Sequence, residues 1–159
     1  MFRLQSFVKI YQANGEILTV PMLNEAVISL SFDVQTQTAK VILPRNLVYN
    51  NQSIYEGDNP LVKRGDKIEL YGGYLPNVDL LFSGYISKVN NNVPIELLCE
   101  DEMYLLKQTI IKNKTYKSVN LRTLMADILP KSIKCEALDA GLGQIRINEA
   151  SCGKVLQTL

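Results

Sequence analysis

The stretch that most limits what this chain can become runs from Gly65 to Val89, GDKIELYGGYLPNVDLLFSGYISKV. Ile68 and Leu70 alternate with Lys67 and Glu69, so one side of the segment is apolar and the other charged. That is the two-residue period of a half-buried strand. Gly65-Asp66 supplies a turn before it, Gly72-Gly73 interrupts side-chain cover near its end, and Pro76-Asn77 marks the connection. On the return, Phe82, Gly84 and Ile86 alternate against Leu81, Ser83 and Tyr85. Glycine inside a strand marks a sharp bend or a bulge, as at a barrel corner. Its presence in both arms of one hairpin predicts a small, strongly curved antiparallel β-barrel.

The flanking segments extend the pattern. Residues 2–11 place Phe2, Leu4, Val8 and Ile10 on one face. Asn14-Gly15 then predicts a tight type I′ hairpin turn, whose two central residues need positive φ. Ile17 to Val20 is the returning strand, ended by Pro21. Ala26 to Val34 carries the cleanest alternation in the chain, with Ile28, Leu30, Phe32 and Val34 set against Ser29, Ser31 and Asp33, and is expected to be a half-buried strand. Ala39, Val41 and Leu43 follow and stop at Pro44, and Ile95, Leu97 and Cys99 form a later strand. Glu100, Asp101 and Glu102 precede Met103 to Leu106, a carboxylate-led start for a helix of one or two turns.

Between these strands, residues 45–64 are irregular yet rich in apolar side chains: Leu47, Val48, Tyr49, Ile54, Tyr55, Leu61 and Val62. A connection this long is uncommon inside a compact domain. Two readings stand: a short turn or helix folded onto the barrel, or a subunit interface formed by those seven residues.

A composition shift follows. Residues 107–122 hold Lys107, Lys112, Lys114, Lys117 and Arg122 with no acidic residue. This is the solvated face of a strand or linker, or a backbone-binding stripe for nucleic acid, although Tyr116 is its sole aromatic. The domain boundary is set here, with a barrel domain over 1–108 and a small α+β unit over 109–159. In the second unit Asn120 caps a helix whose Leu121, Leu124, Met125 and Ile128 share one face and which Pro130 ends. A strand is expected around Ile133 to Ala137, a turn from Asp139 to Gly143, and a strand from Gln144 to Asn148. Ser151 caps a last helix carrying Val155, Leu156 and Leu159 on one face. That pattern meets no stop signal, so the natural polypeptide is expected to continue past Leu159.

The composition excludes several chemistries. Lys and Arg number 17 against 16 Asp and Glu, so no net field attracts the chain to nucleic acid or an anionic membrane. No apolar run approaches the ~18–20 residues of a membrane helix, and the start lacks a signal-peptide core, so an intracellularly made soluble protein is expected. Histidine is absent, which removes the commonest general base and metal ligand. Cys99, Cys135 and Cys152 have no metal-ligand spacing and are expected to be buried, reduced thiols. Gly141-Leu142-Gly143 precedes a strand and lacks the third glycine, so it fails as a nucleotide loop. No catalytic residue, metal or cofactor is assigned.

Taken in order, TAKVILPRN at 38–46, RGDKIELYGGY at 64–74, LFSGYISKV at 81–89 and PIELLCEDEMYLLKQ at 94–108 resemble the baseplate hub proteins of tailed phages, a group related to the late control protein D family and the hubs of contractile injection systems. The resemblance implies a mainly β fold, a tail-tube-like barrel followed by an α+β intervening unit, and a role that is structural rather than enzymatic. It implies a homo-trimer in the full-length protein, tail tube and spike proteins as partners, and residence in the tail of a phage, prophage or injection particle. It favours the interface reading of the stretch at 45–64. The alternative is a barrel-type binding module for single-stranded nucleic acid or another ligand, with Tyr71, Tyr74 and Tyr85 as its exposed aromatics.

Overall fold

A computed structural model describes residues 3–31, 33–45, 47–49, 52–53, 60–90 and 94–159. The chain divides into two compact units, Met1–Glu102 and Met103–Leu159. The first contains strands β1 (Leu4–Tyr11), β2 (Ile17–Val20), β3 (Glu25–Ser29), β4 (Thr38–Ile42), β5 (Val48–Tyr49), β6 (Gln52–Ser53), β7 (Lys67–Tyr74), β8 (Asn77–Asn90) and β9 (Glu96–Glu100). The second contains α1 (Met103–Gln108), β10 (Ile110–Ile111), β11 (Lys114–Asn120), α2 (Leu121–Ile128), β12 (Gly141–Ile147), β13 (Ala150–Ser151) and α3 (Cys152–Thr158). The fold is mainly β with small helices.

Seven strands of the first unit form one antiparallel sheet in the order β2-β1-β7-β8-β9-β4-β3. Its two ends, β2 and β3, are not hydrogen-bonded to each other, so among the described residues the sheet is open where a closed barrel was expected. Alternation set most of its core as anticipated. Val8, Ile10, Ile68, Leu70, Phe82, Ile86, Leu97 and Cys99 are buried on one face, while Lys67, Ser83 and Lys88 stay in water. Burying each of the larger side chains contributes about 1.5–3 kcal/mol.

The hairpin of β7 and β8 turns through Leu75-Pro76, with Tyr74 paired to Asn77. Its register slips between Leu70 and Tyr71, and the pairing of β8 with β9 slips between Ile86 and Lys88. Each slip adds an extra residue to β8, Leu81 and then Ser87, and such bulges bend and twist a strand. A Cβ on Gly84 would lie 2.2 Å from the Glu100 carbonyl oxygen, so a side chain there collides with backbone.

Several expectations are corrected. The Asn14-Gly15 turn is not a two-residue type I′ loop: Gly15 N donates to Gln12 O and Gln12 N to Glu16 O. Gly15 occupies the left-handed position (φ 87°) at the end of a three-residue loop, which shifts the dipeptide one place along the turn. β3 ends at Ser29, well short of Val34. It is an edge strand, and only Ile28 of its apolar set is half-buried, while Leu30 and Val34 are 66% and 56% exposed. Alternation reports two faces but not whether anything covers the second. Leu4 likewise lies beyond the core at 67% exposed. Phe2 and Phe32 lie outside the described residues.

In the second unit, α1 packs against α3, β10 pairs with β13, and β11 pairs with β12. The short helix after the acidic triplet thus groups with the second unit, whose core includes Met103, Leu106, Val119, Leu124, Ile128, Ile147, Cys152 and Val155. Both expected caps are present: Asn120 Oδ1 accepts from Thr123 N at 2.8 Å, and Ser151 Oγ from Lys154 N at 3.3 Å. Residues 133–137 form no strand; Ile133 reaches the core from irregular chain instead. The expected turn at 139–143 is partly absorbed into β12, which starts at Gly141 and accommodates Gly143 at φ 71° beside a register shift. Cys99 and Cys152 are buried, but Cys135 is exposed, because the strand meant to bury it does not form.

Substituting Gly84→Ala should destabilise the first unit by about 1–3 kcal/mol, the usual cost of forcing atoms into filled space. Gly15→Asn, in open surroundings at a turn that tolerates asparagine, should cost much less. Thermal unfolding of both variants tests this, and equal midpoints would exclude the close approach of β8 to β9.

Candidate functional site

The seven interface candidates separate once folded. Val62 is buried in the first unit's core, and Leu47, Tyr49 and Leu61 are half-buried against it. Val48, beside them on β5, is 62% exposed. Ile54 and Tyr55 lie outside the described residues. Part of the irregular stretch therefore folds onto its own sheet. Gln12 holds it by donating to Leu61 O at 2.6 Å. Asp66 holds it too, since its Oδ2 accepts from Lys63 N at 2.8 Å. Burial pushes the Asp66 carboxyl above its ordinary value, opposed by that backbone N–H. Of the described members, Val48 is the one exposed to solvent.

A second feature lies on the outer face of β1 and β7, where the register sets Phe7 opposite Tyr71, Lys9 opposite Glu69, and Tyr11 opposite Lys67. The rings of Phe7 and Tyr71 stack at 4.9 Å with planes 7° apart. Lys9 Nζ sits 5.0 Å over the Tyr71 ring, and Lys67 Nζ 5.7 Å over that of Tyr11. The hydroxyls of Tyr11 and Tyr71 donate to Glu69 Oε2 at 2.6 and 2.8 Å, and Lys67 Nζ lies 3.5 Å from Oε1. The Tyr11 hydrogen bond, with help from Tyr71 and Lys67 and against partial burial, holds Glu69 below the usual carboxylate range. The same bond, followed by burial, raises Tyr11 to about 12. The ladder keeps Glu69 ionised and occupies its oxygens. It also covers Tyr71 with Phe7 and Lys9, which takes that ring away from base stacking.

A third feature was invisible to alternation. Leu4 and Tyr74 are register partners, Leu75 N donates to Arg3 O, and Leu80 faces Tyr71 near the same end of the hairpin. Leu4, Tyr74, Leu75, Leu80 and Leu81 are all exposed. Beside them, Met22 and Leu23 line a depression of about 440 Å³ together with Arg3, Leu4 and Gln5. The one available signal was the sequence YLP…LL at a hairpin tip, which offers apolar side chains where a solvated turn needs none. Tyr74 is thus exposed as the binding-module reading asked, whereas Tyr85 is half-buried.

Among the described residues no group of three or more His, Cys, Asp or Glu side chains is placed to hold a metal ion, and no helix is long and apolar enough to cross a membrane. No protein-family model matches the chain, and no curated protein matches its sequence.

Because folded Glu69 titrates below its unfolded value near 4.5, its stabilisation is present above that value and is lost as pH falls through the folded value. The thermal midpoint of the native protein should therefore fall more steeply below pH 4.5 than that of Glu69→Gln. Parallel curves would remove Glu69 from the account. Tyr11→Phe should cost about 1 kcal/mol at pH 7, the net value of one hydrogen bond.

Proposed function

We propose that this chain is a structural component of a phage or prophage tail baseplate hub, adapting the tail tube to the spike through subunit contacts. One observation carries the reading. The four segments that resemble hub proteins fall on β4, β7, β8 and β9, which are contiguous in the sheet as β7-β8-β9-β4, and the last runs on into α1. The resemblance is thus carried by one connected piece of architecture rather than by scattered fragments.

The tube-like character of the first unit belongs to the proposal. It is supported by the two bulges in β8 and by Gly72 and Gly84, devices that curve a sheet. Subunit contact is supported by the exposed apolar side chains at the hairpin tip and by Val27, Leu30 and Val34 on and beyond the β3 edge. In this reading the full-length hub is a trimer, located in the tail of the assembled particle.

The test is assembly. The chain, mixed with purified tail-tube and spike proteins, should give a species of defined larger mass by light scattering. Leu75→Glu with Leu80→Glu, both already exposed, should weaken that association at least tenfold without lowering the thermal midpoint. Failure to associate with either protein would overturn the hub reading.

A further inference from the structure

The near-neutral total conceals an uneven distribution of charge. Residues 1–102 carry eight basic and twelve acidic side chains, whereas residues 103–159 carry nine basic and four acidic ones. The second unit is strongly cationic for its size, a property that attracts polyanions. Some of its positive charge is spent internally: Lys114 Nζ lies 2.9 Å from Asp127 Oδ2, and Arg122 donates to the Ala137 carbonyl. The side chains of Lys112, Lys117, Arg146 and Lys154 are exposed and make no ion pair or hydrogen bond among the described residues.

Two of these cations, Lys117 and Arg146, lie on the ribbon of β11 and β12. Thr115 is the register partner of Arg146, so the two share a face; Gln144 lies two residues along the same side of β12, and Lys117 falls in the register shift that follows Tyr116. All four are exposed, while Tyr116, Ile145 and Ile147 on the opposite side pack into the core. Arg146 also lines, with Lys154, Gln144 and Asn148, a cleft of about 380 Å³ between β12 and α3. Glu149 lines it too, the one acidic side chain there.

The geometry points to double-stranded nucleic acid, bound through its phosphates without sequence preference, as the ligand of this ribbon. A two-stranded β-ribbon is of the size that a duplex major groove admits, and the exposed face offers cations and amide or hydroxyl donors, the groups that contact phosphate. Single strands are the poorer fit, because they need open aromatic faces to stack on. The aromatics of this unit are Tyr104, which is buried, and Tyr116, whose hydroxyl is held by Asp127 and whose ring packs on the core. The inference rests on the second unit alone and is independent of the hub reading.

The experiment is fluorescence anisotropy of a labelled 20-base-pair duplex against the whole chain from 50 to 300 mM salt. Four neutralised phosphates predict a slope of log K against log salt of about −3 to −4. Lys117→Gln with Arg146→Gln should reduce that slope by about 2, with unchanged circular dichroism and thermal midpoint. Lys134→Gln, on the irregular stretch after α2, should leave it nearly unaltered. Absence of binding at 50 mM salt would overturn the proposal. So would a Lys134→Gln effect equal to that of Arg146→Gln, since the ribbon would then be no special site. Displacement by poly-L-glutamate at equal charge concentration would also overturn it, in favour of an acidic protein partner. Tighter binding of a single strand of the same length would refute the duplex assignment.

Discussion

The first unit depends on the passage of β8 across the sheet. Its early residues, Asn77 to Tyr85, pair with β7, and its later ones, Tyr85 to Asn90, pair with β9. One strand therefore joins the β2-β1-β7 half to the β9-β4-β3 half. The exchange takes place around Gly84, where no Cβ fits between the strand and the Glu100 carbonyl. Without that approach the buried rows Ile68-Leu70, Phe82-Ile86 and Leu97-Cys99 would not meet as one core. The glycine thus acts through absence of volume, and the bulges at Leu81 and Ser87 supply the bend that keeps both halves in register.

The polar groups of this unit serve the same frame. Asp66 sits buried at the foot of β7, where its carboxylate accepts from Lys63 N and its own backbone ties to Lys63 and Ile86. Glu69 gathers two tyrosines and a lysine on the outer face. A carboxylate with its oxygens filled and its pKa depressed is a poor proton donor, and tyrosines raised above their ordinary range are poor nucleophiles. The exposed apolar side chains at the hairpin tip have no such internal account. Exposed apolar side chains gathered in this way are a feature of surfaces that meet another molecule, which supports the subunit contact in the hub proposal.

The strands with an apolar partner on both sides were legible in advance. Ile68, Leu70, Phe82, Ile86, Leu97 and Cys99 are inside because alternation and enclosure coincide there. The caps at Asn120 and Ser151 were also readable, since capping is local chemistry between residues three apart. Ala26 to Val34 was met only in part, as a strand that ends at Ser29 and stays largely exposed, because an edge strand shows the same alternation as a central one. The irregular stretch around residues 47–62 was readable as apolar but not as divided, with Val62 inward and Val48 outward. Nothing local distinguishes those two valines. Cys135 was misplaced together with the strand that was to carry it.

The sequence by itself determined periodicities, turns, caps and the location of the curved hairpin, because these follow from backbone sterics and from neighbours close along the chain. Only the tertiary structure decided which faces are covered, where the sheet ends, and that α1 joins the second core. It also decided that Arg146 stands opposite Thr115 on the exposed face of the β11–β12 ribbon. Those outcomes arise between residues far apart in the chain, where burial depends on what else has already folded against them. The hairpin between Gly65 and Val89 belongs to both accounts: its glycines are visible in the sequence, but the carbonyl that requires Gly84 is supplied by β9.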